Sequence, residues 1–143
     1  MSYRPMSDEE WPAFLVAEPR PAVLATVRAD GRPHAAPIWI DMEDGAIWFN
    51  TGVDTVKGRN LARTGRASLC VQDDRPPFSF VVVECTAELI DDLDLVRRWA
   101  ARLGGRYMGA DRAEQYGARN GVPGELVVKL TPTKVVSAAD VAD

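Results

Sequence analysis

Ile47-Trp48-Phe49-Asn50-Thr51-Gly52-Val53-Asp54-Thr55-Val56-Lys57-Gly58-Arg59-Asn60-Leu61 decides how this chain is read. Ala46 to Phe49 is an apolar run whose β-branched and aromatic content suits a strand. The run breaks at Asn50-Thr51-Gly52, and a helical pattern starts near Asp54, where Asp54 or Thr55 can cap the open amides. Lys57, Arg59 and Asn60 fall in the first turns. A strand ending in small polar residues that runs into a helix start flanked by cations can hold an anion. The same pattern also describes an ordinary strand-turn-helix corner with a solvated basic face.

Working outward, the flanking segments read as strands. Ala22 to Arg28 alternates Val23, Ala25 and Val27 against Leu24 and Thr26, and Asp30-Gly31 carries a hairpin signal. Pro33 to Met42 reads as one second strand, which Pro37 makes an edge or a bulge. Arg66 to Asp73 follows the helix with Ala67, Leu69 and Val71 on one side. Phe78 to Leu89 is long, and Phe80 to Val83 is apolar on both faces, which predicts a central strand or an interface. Gly124 to Thr131 is a sixth strand, with Thr133 to Ser137 extending it past Pro132.

Helices are expected at three further places. Ser7-x-x-Glu10 is a capping box leading into Trp11, Phe14 and Leu15, and that helix ends before Pro19. Asp91 and Asp92 cap a helix whose stripe is Val96, Trp99, Ala100 and Leu103, weakened by Gly104-Gly105. A short helix spans Asp111 to Arg119 and stops at Asn120-Gly121. Short antiparallel strands at this spacing favour a small barrel in an α+β chain, mainly β.

The 143 residues make one domain, 1–143, which buries roughly two-thirds of its unfolded surface without a metal or disulfide staple. A net charge of −4 argues against a general nucleic-acid binder. Cys70 and Cys85 lie in apolar runs without metal spacing, and one histidine builds no metal site with them, so both read as buried thiols. No apolar run reaches the length of a membrane span and the N-terminus has no signal core, so a cytoplasmic location is expected, with no membrane partner.

Three segments together resemble the pyridoxamine-phosphate-oxidase-like split-barrel family of flavin and deazaflavin oxidoreductases. They are Gly31 to Trp39, Phe49 to Gly52 with Thr55 to Leu61, and Phe78 to Phe80 ahead of Glu84 to Leu89. The resemblance implies a six-stranded split β-barrel of the FMN-binding type, assembled as a homodimer with a cofactor at each subunit interface. Lys57 matches the lysine that reaches the cofactor phosphate, with Asn60 as a polar contact beside it and Arg59 less clearly placed. Pro37, Ile38 and Trp39 match the strand along which the ring lies; Asn50 and Thr51 match contacts near the ribityl chain, with Thr55 at the same corner. Phe78 matches an aromatic supplied by the other subunit.

Two departures bear on the cofactor. The FMN-using oxidases carry Ser-Arg-Lys where this chain has Thr55-Val56-Lys57, and they end in Arg-Leu-x-Pro where this chain has Lys134-Val135-Val136-Ser137. Both favour the branch that uses coenzyme F420. The expected activity is hydride transfer from reduced F420 to a small conjugated acceptor. The alternatives are an FMN flavoprotein and a non-catalytic cofactor-binding protein. The cofactor carries the chemistry, so no catalytic side chain is assigned. His34, Tyr107 and Tyr116 are candidate proton donors, each with a plainer reading as a packing or solvent-facing residue.

Overall fold

A computed structural model describes residues 4–143. Seven strands form one antiparallel sheet: β1 (Ala22–Val27), β2 (Pro33–Ile38), β3 (Asp41–Glu43), β4 (Ala46–Gly52), β5 (Arg66–Asp73), β6 (Ser79–Ile90) and β7 (Glu125–Ala138). Their spatial order is β2-β1-β5-β6-β7-β4-β3. Four α-helices accompany them: α1 (Glu10–Val16), α2 (Val56–Thr64), α3 (Leu93–Met108) and α4 (Ala113–Asn120), with a single 3-10 turn at Ala110–Arg112. No helix among the described residues is long and apolar enough to cross a membrane.

The second strand of the sequence reading is two strands, which corrects the count from six to seven. Residues 33–38 and 41–43 lie at opposite edges of the sheet. The break falls at Trp39-Ile40 because the Ile40 backbone leaves the ladder. Its N–H donates to the Tyr107 hydroxyl at 3.1 Å, and its carbonyl accepts from Arg106 Nε at 3.1 Å. Two residues span only about 11 Å from Ile38 to Asp41, so the sheet has to curl until its edges nearly meet. No ladder joins β2 to β3, and the curl stays open.

Local signals were otherwise followed closely. Ser7 and Glu10 form the reciprocal capping box at 3.1 and 3.3 Å. Asp30 Oδ1 accepts from the Arg32 amide in the β1–β2 turn, where Gly31 takes φ +89°. Pro132 sits opposite Cys85 at a register shift in the β6–β7 ladder, where its missing N–H does least damage. The β7 strand therefore runs on to Ala138.

The curl encloses a core that includes Leu24, Phe49, Leu69, Val81, Val83 and Leu130. A second cluster, Val96, Trp99, Leu103 and Val127, fixes α3 to the outside of the sheet. Trp48 stacks on Trp99 at 5.1 Å. Fully burying side chains of this size contributes about 1.5–3 kcal/mol each, so this stripe anchors the helix. Arg102 meets Asp41 at 3.0 Å and Arg98 meets Glu43 at 2.7 Å, which sets α3 along β3.

The helix α3 runs through Gly104-Gly105 rather than fraying there. The glycines bring α4 close: a Cβ at position 104 would lie 2.2 Å from the Tyr116 Cβ. Gly104→Ala is therefore expected to cost about 1–3 kcal/mol by overpacking the seam. Urea unfolding of the variant measures this, and an unchanged midpoint would mean that α3 and α4 are not packed through Gly104.

Candidate functional site

The corner after β4 is built by one hydroxyl. Thr55 caps α2: its Oγ1 accepts from the Gly58 amide at 3.0 Å and donates to Gly52 O at 2.9 Å. Its single proton is thereby spent, so Thr51 is the donor in the 2.8 Å contact between the two threonine hydroxyls. Gly58 allows the tight approach, since a Cβ there would lie 2.4 Å from Gly52 O. Thr51 and Thr55, read as cofactor contacts, thus have their hydroxyls committed to the corner itself.

Beside this corner lies a cleft of about 240 Å³. Five of the ten residues singled out in the sequence line it: Pro37, Ile38, Trp39, Asn50 and Lys57. Ala100 and Leu103 of α3 and Asn120 of α4 complete the wall. Sequence reasoning missed these three, because they arrive through the packing of α3 and α4 on the sheet. Trp39 stacks on Tyr107 at 5.1 Å and meets Tyr116 edge-on at 5.8 Å, so one side of its indole is covered by protein.

Two groups in the cleft have no partner among the described residues. Asn50 Nδ2 donates to Val96 O at 3.2 Å, which leaves Oδ1 buried without a donor. Lys57 makes neither hydrogen bond nor ion pair among the described residues. Its charge is felt by Glu125, which pairs with Gly52 in the β4–β7 ladder. Burial pushes the Glu125 carboxyl above its ordinary 4.5, while the Lys57 ammonium pulls the other way. Lys57 is the one ionisable side chain of the cleft wall.

The remaining sequence candidates lie elsewhere. Asn60 is 3% exposed and turned inward: Nδ2 donates to Thr26 Oγ1 at 3.0 Å and Oδ1 accepts from Arg63 at 3.1 Å. Arg59 reaches Asp54 at 3.9 Å on the opposite face of α2 from the cleft. Phe78 is 43% exposed in the loop before β6 and does not line this chain's cleft. Tyr107 accepts from Ile40 and donates to Arg20 O at 2.7 Å, so its hydroxyl is structural. Tyr116 is buried in the α3–α4 seam, and His34 lies outside the cleft wall with Nδ1 buried and unpaired. Cys70 and Cys85 are free thiols, and burial raises both, Cys85 to about 12.

An open, curled antiparallel sheet with a cleft between the end of β2, β4 and the helices α2, α3 and α4 defines the class. Residues 7–138 match the pyridoxamine 5'-phosphate oxidase model, and the chain belongs to that family, whose members include flavin-linked oxidoreductases. A conserved hypothetical protein of Mycobacterium tuberculosis superposes with TM-score 0.82 at 25% identity, over 98% of this chain and 91% of the other. A solved structure named F420 reductase gives TM-score 0.70 at 24% identity, over 88% and 96% of the two chains. An FAD-binding protein of Mesorhizobium loti gives TM-score 0.70 at 18% identity, over 96% and 97%. Among curated proteins none matches this sequence.

Glu125 makes a stability prediction with a definite sign. A carboxyl whose folded value is raised favours folding in its neutral form. That contribution is complete below the unfolded value and lost as pH rises through the folded one. Wild type should therefore lose stability relative to Glu125→Gln as pH climbs through and above 4.5. Paired urea titrations across that window test it, and a constant difference would place the Glu125 carboxylate in solvent.

Proposed function

We propose that this chain is an oxidoreductase that binds coenzyme F420 in the cleft beside α2 and passes hydride to a small conjugated organic acceptor. The observation that carries this is the pairing of the free Lys57 ammonium with the orphaned Asn50 Oδ1 in one cleft. An anionic group suits the first and an N–H edge suits the second, and a phosphate-bearing heterocycle of the flavin or deazaflavin type offers both. When bound, the reduced deazaflavin supplies two electrons as hydride.

The chain's own work is binding and exclusion of water. Lys57 holds the phosphate and Asn50 fixes the ring edge. Trp39, Ile38, Ala100 and Leu103 supply apolar wall. With no acid or base beside Lys57 in that wall, the side chains orient the reactants rather than shuttle protons. A neighbour named an F420 reductase supports this choice of cofactor. FMN is the alternative, offering the same two features, and the FAD-binding neighbour supports a flavin in place of a deazaflavin. Val56, standing where the FMN oxidases carry arginine, weighs against it.

The acting unit is proposed to be a homodimer. Pro37, Val23, Cys70, Val82 and Val136 are register neighbours across five strands, on the face turned away from the core. Val23 and Val136 are 45% and 48% exposed. A second copy would cover this apolar row, and Pro37 joins it to the cleft. Small-molecule sites usually enclose about 300–1,000 Å³, more than the 240 Å³ of one chain, so the partner also deepens the site. Phe78 is then available to the partner's cleft.

Two outcomes are expected. Lys57→Ala should weaken F420 binding about tenfold to a hundredfold, the worth of one charge-assisted hydrogen bond, while Arg59→Ala changes little. Fluorescence titration with F420 and with FMN reads this, and equal affinity for wild type and Lys57→Ala would place the site elsewhere. Tight binding without turnover over a panel of enones and quinones would make the protein a carrier. Sedimentation should find a dimer at micromolar concentration that Val82→Glu dissociates; a monomeric wild type refutes the assembly.

A further inference from the structure

The helix α2 presents two different faces. Lys57 turns toward the ring cleft, while Val56, Arg59, Asn60 and Arg63 follow the i, i+3, i+4, i+7 spacing of a single opposite stripe. That stripe and the β1–β2 turn, with Arg28 and Asp30, enclose a second cleft of about 340 Å³. Nothing in the proposed function uses it.

Among the described residues, no close ion pair neutralises the arginines of this second cleft. The Arg28 side chain has no hydrogen bond or ion pair among the described residues. Arg63 donates from Nη2 to two neutral acceptors, Val27 O and Asn60 Oδ1, which steer the guanidinium without cancelling its charge. Its remaining N–H groups donate to nothing among the described residues. Arg59 meets Asp54 only at 3.9 Å between well-exposed side chains, a pair of little worth in water. Asp30, the acid in the cleft wall, already accepts from the Arg32 amide and faces its guanidinium at 3.6 Å.

Arg63 is also held from beneath. Asn60 is almost fully buried and tied to Thr26, so the acceptor that aims Arg63 is itself immobile. A merely solvated arginine needs no such support. Three guanidinium groups converging in a concave site, on a chain of net charge −4, concentrate attraction for anions there. We propose that this cleft is a binding site for a small multivalent oxyanion, carried as phosphoryl or clustered carboxylate groups. It is separate from the Lys57 cleft. Arginine's planar fork suits both chemistries, because each offers paired oxygens.

Amide-resolved NMR titration at low ionic strength tests the proposal, with pyrophosphate and triglutamate as probes. The expected result is a saturable shift centred on residues 28–30 and 56–63, with a dissociation constant of about 1 mM or tighter. Arg28→Ala and Arg63→Ala should each weaken it about tenfold, and added salt should weaken it further. Lys57→Ala should leave it in place. Arg28 has no structural partner, so that variant stays informative if Arg63→Ala disturbs folding. Pyrophosphate alone binding identifies a phosphoryl ligand, and triglutamate alone a carboxylate one. No saturation by either probe overturns the proposal, as does insensitivity to Arg28→Ala or loss of the shift in Lys57→Ala.

Discussion

The crossing at Trp39-Ile40 is the constraint on which the site depends. Two residues carry the chain from one edge of a seven-stranded sheet to the other, and α3 holds them there. Arg106 takes the Ile40 carbonyl and also reaches Val16 O and Glu18 O at 3.2 and 2.9 Å. Tyr107 stacks its ring on Trp39 and ties Ile40 to Arg20 through its hydroxyl. Pro37, Ile38 and Trp39, which lead into the crossing, form part of the cleft wall. Loosening this clamp would free the end of β2 that carries Pro37, Ile38 and Trp39 toward the cleft, leaving the β1–β2 ladder and the packing of Trp39 on Tyr116 to hold them.

A second constraint acts at finer scale. Thr55 caps α2 and Gly58 lets the helix sit on the end of β4, which sets the rotation of the helix about its axis. That rotation sorts the polar residues of the first turns. Lys57 goes to one side, Arg59 and Arg63 to the other, and Asn60 inward. The Thr55 hydroxyl that looked able to touch a ligand acts by fixing where its neighbours point.

The fold was largely legible because most signals were local. Capping box, hairpin turn and the α3 stripe each lie within a few residues of the element they specify. The β2–β3 break was not legible, because Ile38-Trp39-Ile40 reads as continuous strand and only Arg106 and Tyr107, far along the chain, remove Ile40 from the ladder. Spacing and family likeness single out five of the eight residues of the cleft wall. Ala100 and Leu103 were invisible because the docking of α3 on the sheet brings them, and Asn120 because the α3–α4 packing that brings it depends on Tyr116 fitting over Gly104. One signal was present and unread: residues 56, 59, 60 and 63 share a helical face from which Lys57 is rotated by about 100°, so Lys57 and Arg59 could not serve one cleft equally.

Pro37 belongs both to the outward apolar row and to the cleft wall. If a second copy covers the row, assembly and ligand binding share a residue and are coupled. A ligand that gains contacts only in the paired form must favour pairing by the same free energy that pairing adds to its affinity. The shallow cleft of one chain would then be the low-affinity form of the site. The edge strand β2 carries proline at Pro33 and Pro37, and the N–H groups they lack make it a poor template for extending the ladder into a neighbouring sheet, which leaves the outward face as the better surface for a partner.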